Sequence, residues 1–384
     1  MAALSSISVR RRPRAVWWLL LLLVAQFVGV GGLLPYYAFA YPNTTGFRAF
    51  AVALALLACA TIYGVWARAP WAMWATLALV SLKLTVDLFN YALDLDRLLL
   101  PLSELINIGI IVLVFWLPYP SSDRVTREQR IFFGFVLALA GWVGFWGMFI
   151  SGDVVRALPF TVPPLHARFL GAMYLSGATF MILGMLAREW AEVRVVVPMI
   201  AIWTGTLGIV SQFHLEAFDW GRIQVWIWFA AYIAYPIVAA WIVWKQRVCS
   251  APASGPALSP ALRGYLVVQG GLVTLLALSL LLAPSKLASA WPWSITPILA
   301  HVYGAPFLAY GVGSLYAVRQ RHWAEVRIPV YATLVFALGV LTASLLHRAL
   351  FDFGGPAAWL WFGGFGLAAL GLALFGLVPL QYRR

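Results

Sequence analysis

Apolar stretches of roughly 18 or more residues, each long enough to cross a hydrocarbon core of about 30 Å, follow one another along the whole chain with short polar breaks between them. The runs are continuous and do not alternate with period two, so they predict helices and not the strands of a barrel. Twelve transmembrane helices are predicted, at 16–38, 48–67, 71–91, 99–118, 130–150, 165–187, 195–214, 223–244, 263–284, 294–318, 328–347 and 357–380. No break between them is long enough to hold a soluble domain.

Composition agrees with the pattern. Of 384 residues, 63% are hydrophobic and 10% charged, and the mean hydropathy is +0.88; a soluble domain of this length needs more charge to cover its surface. The net charge of +13 would raise the question of nucleic acid in a soluble chain. Here the basic residues gather in alternate breaks, at Arg10–Arg14, Arg188 and Arg194, Lys245 and Arg247, Arg319–Arg327 and Arg383–Arg384. The positive-inside rule then puts both termini in the cytoplasm (N-in/C-in), in the inner membrane of a bacterium. The partners implied are the lipid bilayer and its anionic headgroups at the cytoplasmic face, with room for other membrane subunits and none for nucleic acid. "RRRPR", an apolar run and "AFA" at Ala38–Ala40 imitate a signal peptide, but the run is longer than an h-region and reads as a retained first helix. Cys59 falls within a span and Cys249 in a cytoplasmic break, so no bridge is expected between them.

The pentapeptide "WAEVR" occurs at Trp190–Arg194 and again, 133 positions later, at Trp323–Arg327. The same register aligns Pro164 with Pro297, Gly171 with Gly304, Arg188 with Arg321 and His214 with His347, and sets "FDWG" (Phe218–Gly221) on "FDFG" (Phe351–Gly354). A gap-free register over such a length signals internal duplication. Each copy holds four spans, and an even number makes the repeats parallel, related by an axis along the membrane normal. Residues 121–250 and 251–384 are the two clear repeats, and 1–120 is read as a third, divergent one in which Arg48 and Arg68 stand opposite Arg168 and Arg188. The pentapeptide itself reads as a structural turn, with Trp at headgroup level, Glu available to pair with Arg, and Arg anchoring the next helix.

Ionisable residues inside a membrane are costly and are functional candidates by default. Lys83 and Asp87 lie four apart in the third span and can pair on one helix face; Glu104 and Asn107 enter from the same outer surface in the fourth. Two carboxylates facing one ammonium could hold a proton or a small cation, so Lys83, Asp87, Glu104 and Asn107 form the candidate substrate or ion site. Arg168, Glu216 and Arg222, with Arg348, are candidates for an outer vestibule receiving an anion or zwitterion. His166, His301, His214 and His347 cluster toward the outer side, where they could hold a metal or haem, although a His at a helix C-terminus also complements the helix dipole. Asp219 and Asp352 stand where caps of the eighth and twelfth spans are wanted. No HxxH, CxxC or CxxCH spacing accompanies the histidines, and no cofactor is the leading expectation. Walker A, GxGxxG, GxSxG and HExxH runs are absent from the sequence, and no catalytic set is predicted.

The stretches "TVPPLHARFLGAMYLSGA" (Thr161–Ala178), "REWAEVR" and "FHLEAFDWGRIQVWIWF" resemble a family of uncharacterised bacterial polytopic membrane proteins; the resemblance implies membrane location and no activity. Three four-helix units are also similar to the plan of haem–copper oxidase catalytic subunits and of NnrS-type membrane haem proteins. The chain departs from both in lacking their histidine constellations. The function expected first is therefore a secondary transporter or permease of a small solute or ion. The alternative is a membrane subunit of an electron-transfer or other complex that holds haem through the outer histidines, and a lipid-modifying membrane enzyme comes third.

Overall fold

The computed structural model describes residues 14–30, 45–93, 100–288 and 290–381. The end of the first expected span, the Ala38–Ala40 tripeptide, Arg10–Arg12 and Arg383–Arg384 lie outside them. Among the described residues the chain is helical and has no strand. Among the described residues nine helices are long and apolar enough to cross a membrane, and shorter apolar helices at 14–27, 52–67 and 100–116 lie at three further expected spans. The protein is an integral, polytopic, all-α membrane protein. It divides into two units, Met1–Tyr119 and Pro120–Arg384.

The first unit contains α1 (Arg14–Val24), continued by a π-helical turn at Ala25–Val30, α2 (Thr45–Ala67), α3 (Ala72–Ala92) and α4 (Leu100–Trp116). Helix α1 packs on α2 and α4, and α3 on the same two. In lipid an apolar side chain gains little by turning inward, so close packing and polar contacts sort the faces. Leu56 and Leu105 point out while Thr61, Thr76, Ser81, Thr85, Ser103 and Asn107 are buried. The hydroxyls of Thr76, Ser81 and Thr85 each donate to the carbonyl four residues back, at 2.7–2.9 Å, which spends them within the helix. Arg68 (φ +58°) reverses the chain after α2. Its strain is offset by the Ala69 N–H donating to the Gly64 carbonyl at 2.9 Å. The Trp71 ring also lies over Gly64, where any Cβ would come within 2.5 Å of it.

The second unit contains α5 (Arg127–Phe149), α6 (Pro164–Leu186), α7 (Val196–Gln212) and α8 (Ile223–Gln246), then α9 (Pro260–Leu282), α10 (Pro297–Ala317), α11 (Arg327–Leu346) and α12 (Pro356–Gln381). Helix starts are strongly written. Thr126 forms a capping box with Gln129, Ser259 and Thr296 cap α9 and α10, and Pro opens α6, α9, α10 and α12. Helices α6 and α10 are the most enclosed. Helix α6 crosses α5 where Gly171 meets Gly147; a Cβ on Gly171 would lie 2.3 Å from the Met148 backbone nitrogen.

The contacts do not respect a boundary at 250/251. Helix α6 packs on α5 and on α11, and α10 packs on α9 and on α7, while α8 leans on α7 and α12 on α11. The segments 121–250 and 251–384 therefore interlock, each packing its third helix on the other's second.

Hydrogen bonds recur at the 133-residue spacing. Arg130 donates to the carbonyls of Met185 and Ala187, and Arg263 to those of Val318 and Gln320. The Trp228 indole donates to Ser211 Oγ at 2.9 Å, and Trp361 to Ser344 Oγ at 2.9 Å. Val125 N–H meets the Arg188 carbonyl at 3.0 Å, as Leu258 meets that of Arg321 at 2.8 Å. Asp219 and Asp352 accept from the Gly221 and Gly354 N–H groups, both at 2.9 Å. They close tight Asx turns and do not cap α8, whose N-cap is Arg222.

Candidate functional site

In the first unit, Lys83 and Asp87 share a face of α3, Ser103 and Asn107 share a face of α4, and the π-turn after α1 brings in Gln26. All five are buried, with exposures from 0% to 5%. Lys83 pairs with Asp87 Oδ1 and donates to Ser103 Oγ at 2.7 Å. Ser103 donates onward to Asp87 Oδ2 at 2.8 Å, and Asn107 Nδ2 donates to the same oxygen at 3.1 Å. Gln26 Nε2 donates to Ser103 Oγ and to Asn107 Oδ1, both at 2.8 Å. The Ser103 hydroxyl thus spends one donor and two acceptors, its full capacity.

Two acceptors remain unspent. Gln26 Oε1 is buried without a partner, and Glu104, half-buried beside Ser103, makes no hydrogen bond or ion pair among the described residues while standing in electrostatic reach of Asp87 and Lys83. Neutral lysine–aspartate charge plus a second carboxylate and a free amide oxygen is an arrangement that attracts a proton or a small hard cation. The structure brings together the predicted Lys83, Asp87 and Asn107 with Glu104 at their edge. Gln26 and Ser103 escaped the sequence reading, because a lone neutral polar residue in an apolar run is common. The one signal was Ser103 standing four residues before Asn107.

In the second unit the repeated pentapeptides pair with each other. Arg194 binds Glu325, and Arg327 binds Glu192. Each Glu also closes its own turn. Glu192 accepts from Arg188 and Glu189 N–H, and Glu325 from Arg321, His322 and, across a loop, Ala253 at 3.0 Å. Burial works against ionisation of Glu325, but those N–H groups and the Arg194 guanidinium outweigh it and hold the carboxyl below the usual range. Trp190 is 5% exposed and packs within the protein.

The four histidines expected at the outer side separate into three pairs. His214 Nε2 lies 2.9 Å from His301 Nδ1, His347 Nε2 faces Arg168 Nη1, and His166 Nδ1 lies 2.6 Å from the Tyr303 hydroxyl. Among the described residues no three His, Cys, Asp or Glu side chains converge as metal ligands would. Burial, and then the adjacent Arg168 cation, hold His347 below the ordinary histidine range.

Of the residues expected to line a vestibule, Arg222 borders a depression. This depression of about 500 Å³ is lined by Arg222 and Asp219 with Phe160, Thr161 and Thr296, and its lining includes neither Arg168 nor Glu216. Arg222 is already engaged, donating to the carbonyls of Val155, Leu158 and Pro159. It closes the turn ahead of α6, because a guanidinium supplies the donors that a helix end lacks. Glu216 is exposed in a 3₁₀ turn.

Comparison with protein-family models, with curated proteins and with solved structures found no match to this chain.

Proposed function

We propose that the protein is a permease of the bacterial cytoplasmic membrane, a secondary transporter of a small solute or ion, with its proton- or cation-handling centre in the first unit. The observation that carries this reading is the buried Lys83–Asp87–Ser103–Asn107–Gln26 network with two unspent acceptors, Glu104 and Gln26 Oε1, at its edge. A purely structural ion pair needs one carboxylate for its ammonium. The second carboxylate adds charge that a membrane interior tolerates poorly unless a mobile cation or proton balances it.

In this reading both ends of the chain face the cytoplasm. The second unit is built from two duplicated four-helix repeats related by an axis along the membrane normal, and the first unit is a divergent copy. The recurrence of Arg130, Trp228 and Asp219 hydrogen bonds at Arg263, Trp361 and Asp352 supports the duplication. Anionic headgroups meet the arginine-rich breaks. The haem-bearing alternative has less support, since the four outer histidines are distributed over three separate pairs.

The test is flux in proteoliposomes. With a pH-sensitive dye trapped inside and a potassium diffusion potential imposed, the wild-type chain should move protons or sodium, and Glu104→Gln should stop it without loss of folded protein. Flux that survives both Glu104→Gln and Asp87→Asn would overturn the reading.

A further inference from the structure

Helix α5 packs on α6, and α8 on α7. A cavity of about 50 Å³ is bounded by all four, with Ala140, Gly177, Met181, Met199, Trp203 and Tyr232 in its lining. The surface turned to it is almost wholly apolar. Hydroxyls in the wall are engaged elsewhere. Those of Tyr174 and Tyr232 pair with each other, Thr204 donates to the Ile200 carbonyl at 2.6 Å, and Tyr235 to the Phe135 carbonyl at 3.0 Å.

At the 133-residue spacing the position of Gly177 is filled. Tyr310 stands there, and its ring stacks at 4.9 Å on that of Phe336, the counterpart of Trp203. Phe307 and Phe365, the counterparts of Tyr174 and Tyr232, meet the same ring edge to face at 5.8 and 5.7 Å. Nothing in the packing demands a glycine at 177. A Cβ added there would have Trp203 as its nearest neighbour, at an ordinary 3.5 Å, whereas one on Gly171 would strike backbone. The side chain missing from Gly177 leaves space instead of admitting a helix.

The setting decides what fills that space. A buried water needs about 2–4 polar partners, and this wall offers almost no polar surface. Left unfilled, the cavity would deprive the atoms around it of dispersion contacts. Hydrocarbon is the solvent of a membrane-spanning bundle, and Leu139, Trp203 and Tyr235 in the wall are part-exposed, so the cavity borders that solvent. Its lining on α7 runs from Val196, the first residue of the helix, to Thr204, about 12 Å of helix rise. A hollow drawn out from a helix end inward suits a chain whose headgroup stays at the bilayer surface.

We infer that the cavity among α5, α6, α7 and α8 is a binding site for one acyl tail of a bilayer phospholipid, packed against Gly177, Met181, Met199 and Trp203. This site lies within the second unit and does not rest on the permease reading.

The experiment places the full chain in nanodiscs containing a phosphatidylcholine with a diazirine midway along one acyl tail, irradiates them and maps the adducts by mass spectrometry. Lipid around the protein should mark outward residues such as Phe135, 67% exposed. Met181 and Met199, 1% and 5% exposed, are beyond its reach, so adducts on them report a tail inside the bundle. Gly177→Tyr installs the residue found 133 positions on and should abolish the methionine adducts while those on Phe135 persist. Ala140→Phe, which fills the cavity from α5, should do the same and decides the matter if Gly177→Tyr fails to fold. Wild-type adducts confined to exposed residues, or methionine adducts that survive the filling substitutions, would overturn the site. Labelling of the two methionines by a free diazirine fatty acid but not by the phospholipid would overturn the choice of occupant.

Discussion

Asp87→Asn removes the charge from the first unit's network while keeping an amide of the same shape, able to accept from Ser103 and Asn107. It strands the Lys83 ammonium, 5% exposed, with Ser103 as its remaining hydrogen-bond partner. Leaving one member of a buried pair uncompensated costs about 3–5 kcal/mol. Lys83→Met in the Asp87→Asn background removes the stranded charge, so only the lost hydrogen bonds remain and the double variant should cost about 1–2 kcal/mol. The double variant is thus more stable than Asp87→Asn alone, a reversal that independent sites cannot produce. Unfolding in mixed detergent and dodecyl sulfate micelles, followed by tryptophan fluorescence, measures wild type, Asp87→Asn, Lys83→Met and the double variant. Asp87→Asn within about 1 kcal/mol of wild type, or a double variant costing the sum of the singles, would refute the argument. The same proteins divide structure from transport: restored stability with flux still absent is the outcome that the permease reading expects.

At the α5–α6 crossing, Gly171→Ala places a methyl 2.3 Å from the Met148 backbone nitrogen, so the helices must part; a loss of about 1–3 kcal/mol is expected, against none for Gly134→Ala, where nothing lies within 4 Å, in the same unfolding assay. Glu325 has a carboxyl held below its ordinary pKa, so its contribution is complete above the unfolded value near 4.5 and is lost as pH falls through the lower folded one. Glu325→Gln should be less stable at neutral pH and show a flatter decline in melting temperature between neutral and acid conditions; an unchanged slope would count against the role given to Arg194 and the three N–H donors. Trp228→Phe and Trp361→Phe each remove a 2.9 Å bond to a buried serine. Matched losses of about 0.5–1.5 kcal/mol are expected, and a large difference between the two would contradict equivalent environments.

Sequence alone determined what depends on composition and on near neighbours. Long apolar runs dictate helices in a membrane, because backbone polar groups have no other partner there. A lysine and an aspartate four residues apart on α3 must share a face. Tertiary structure decided the partners. Each pentapeptide's Glu was free to pair with the Arg two places on, yet Arg194 reaches Glu325 and Arg327 reaches Glu192, because α6 packs on α11 and α10 on α7 and so the two turns meet. Arg222 looked available for an anion, but the carbonyls of the turn ahead of α6 engage it. Gln26 and Ser103 read as incidental polar residues until the π-turn and α4 set them against Lys83 and Asp87. Periodicity fixes which face a residue occupies, but what that face meets is set by packing between segments far apart in the chain.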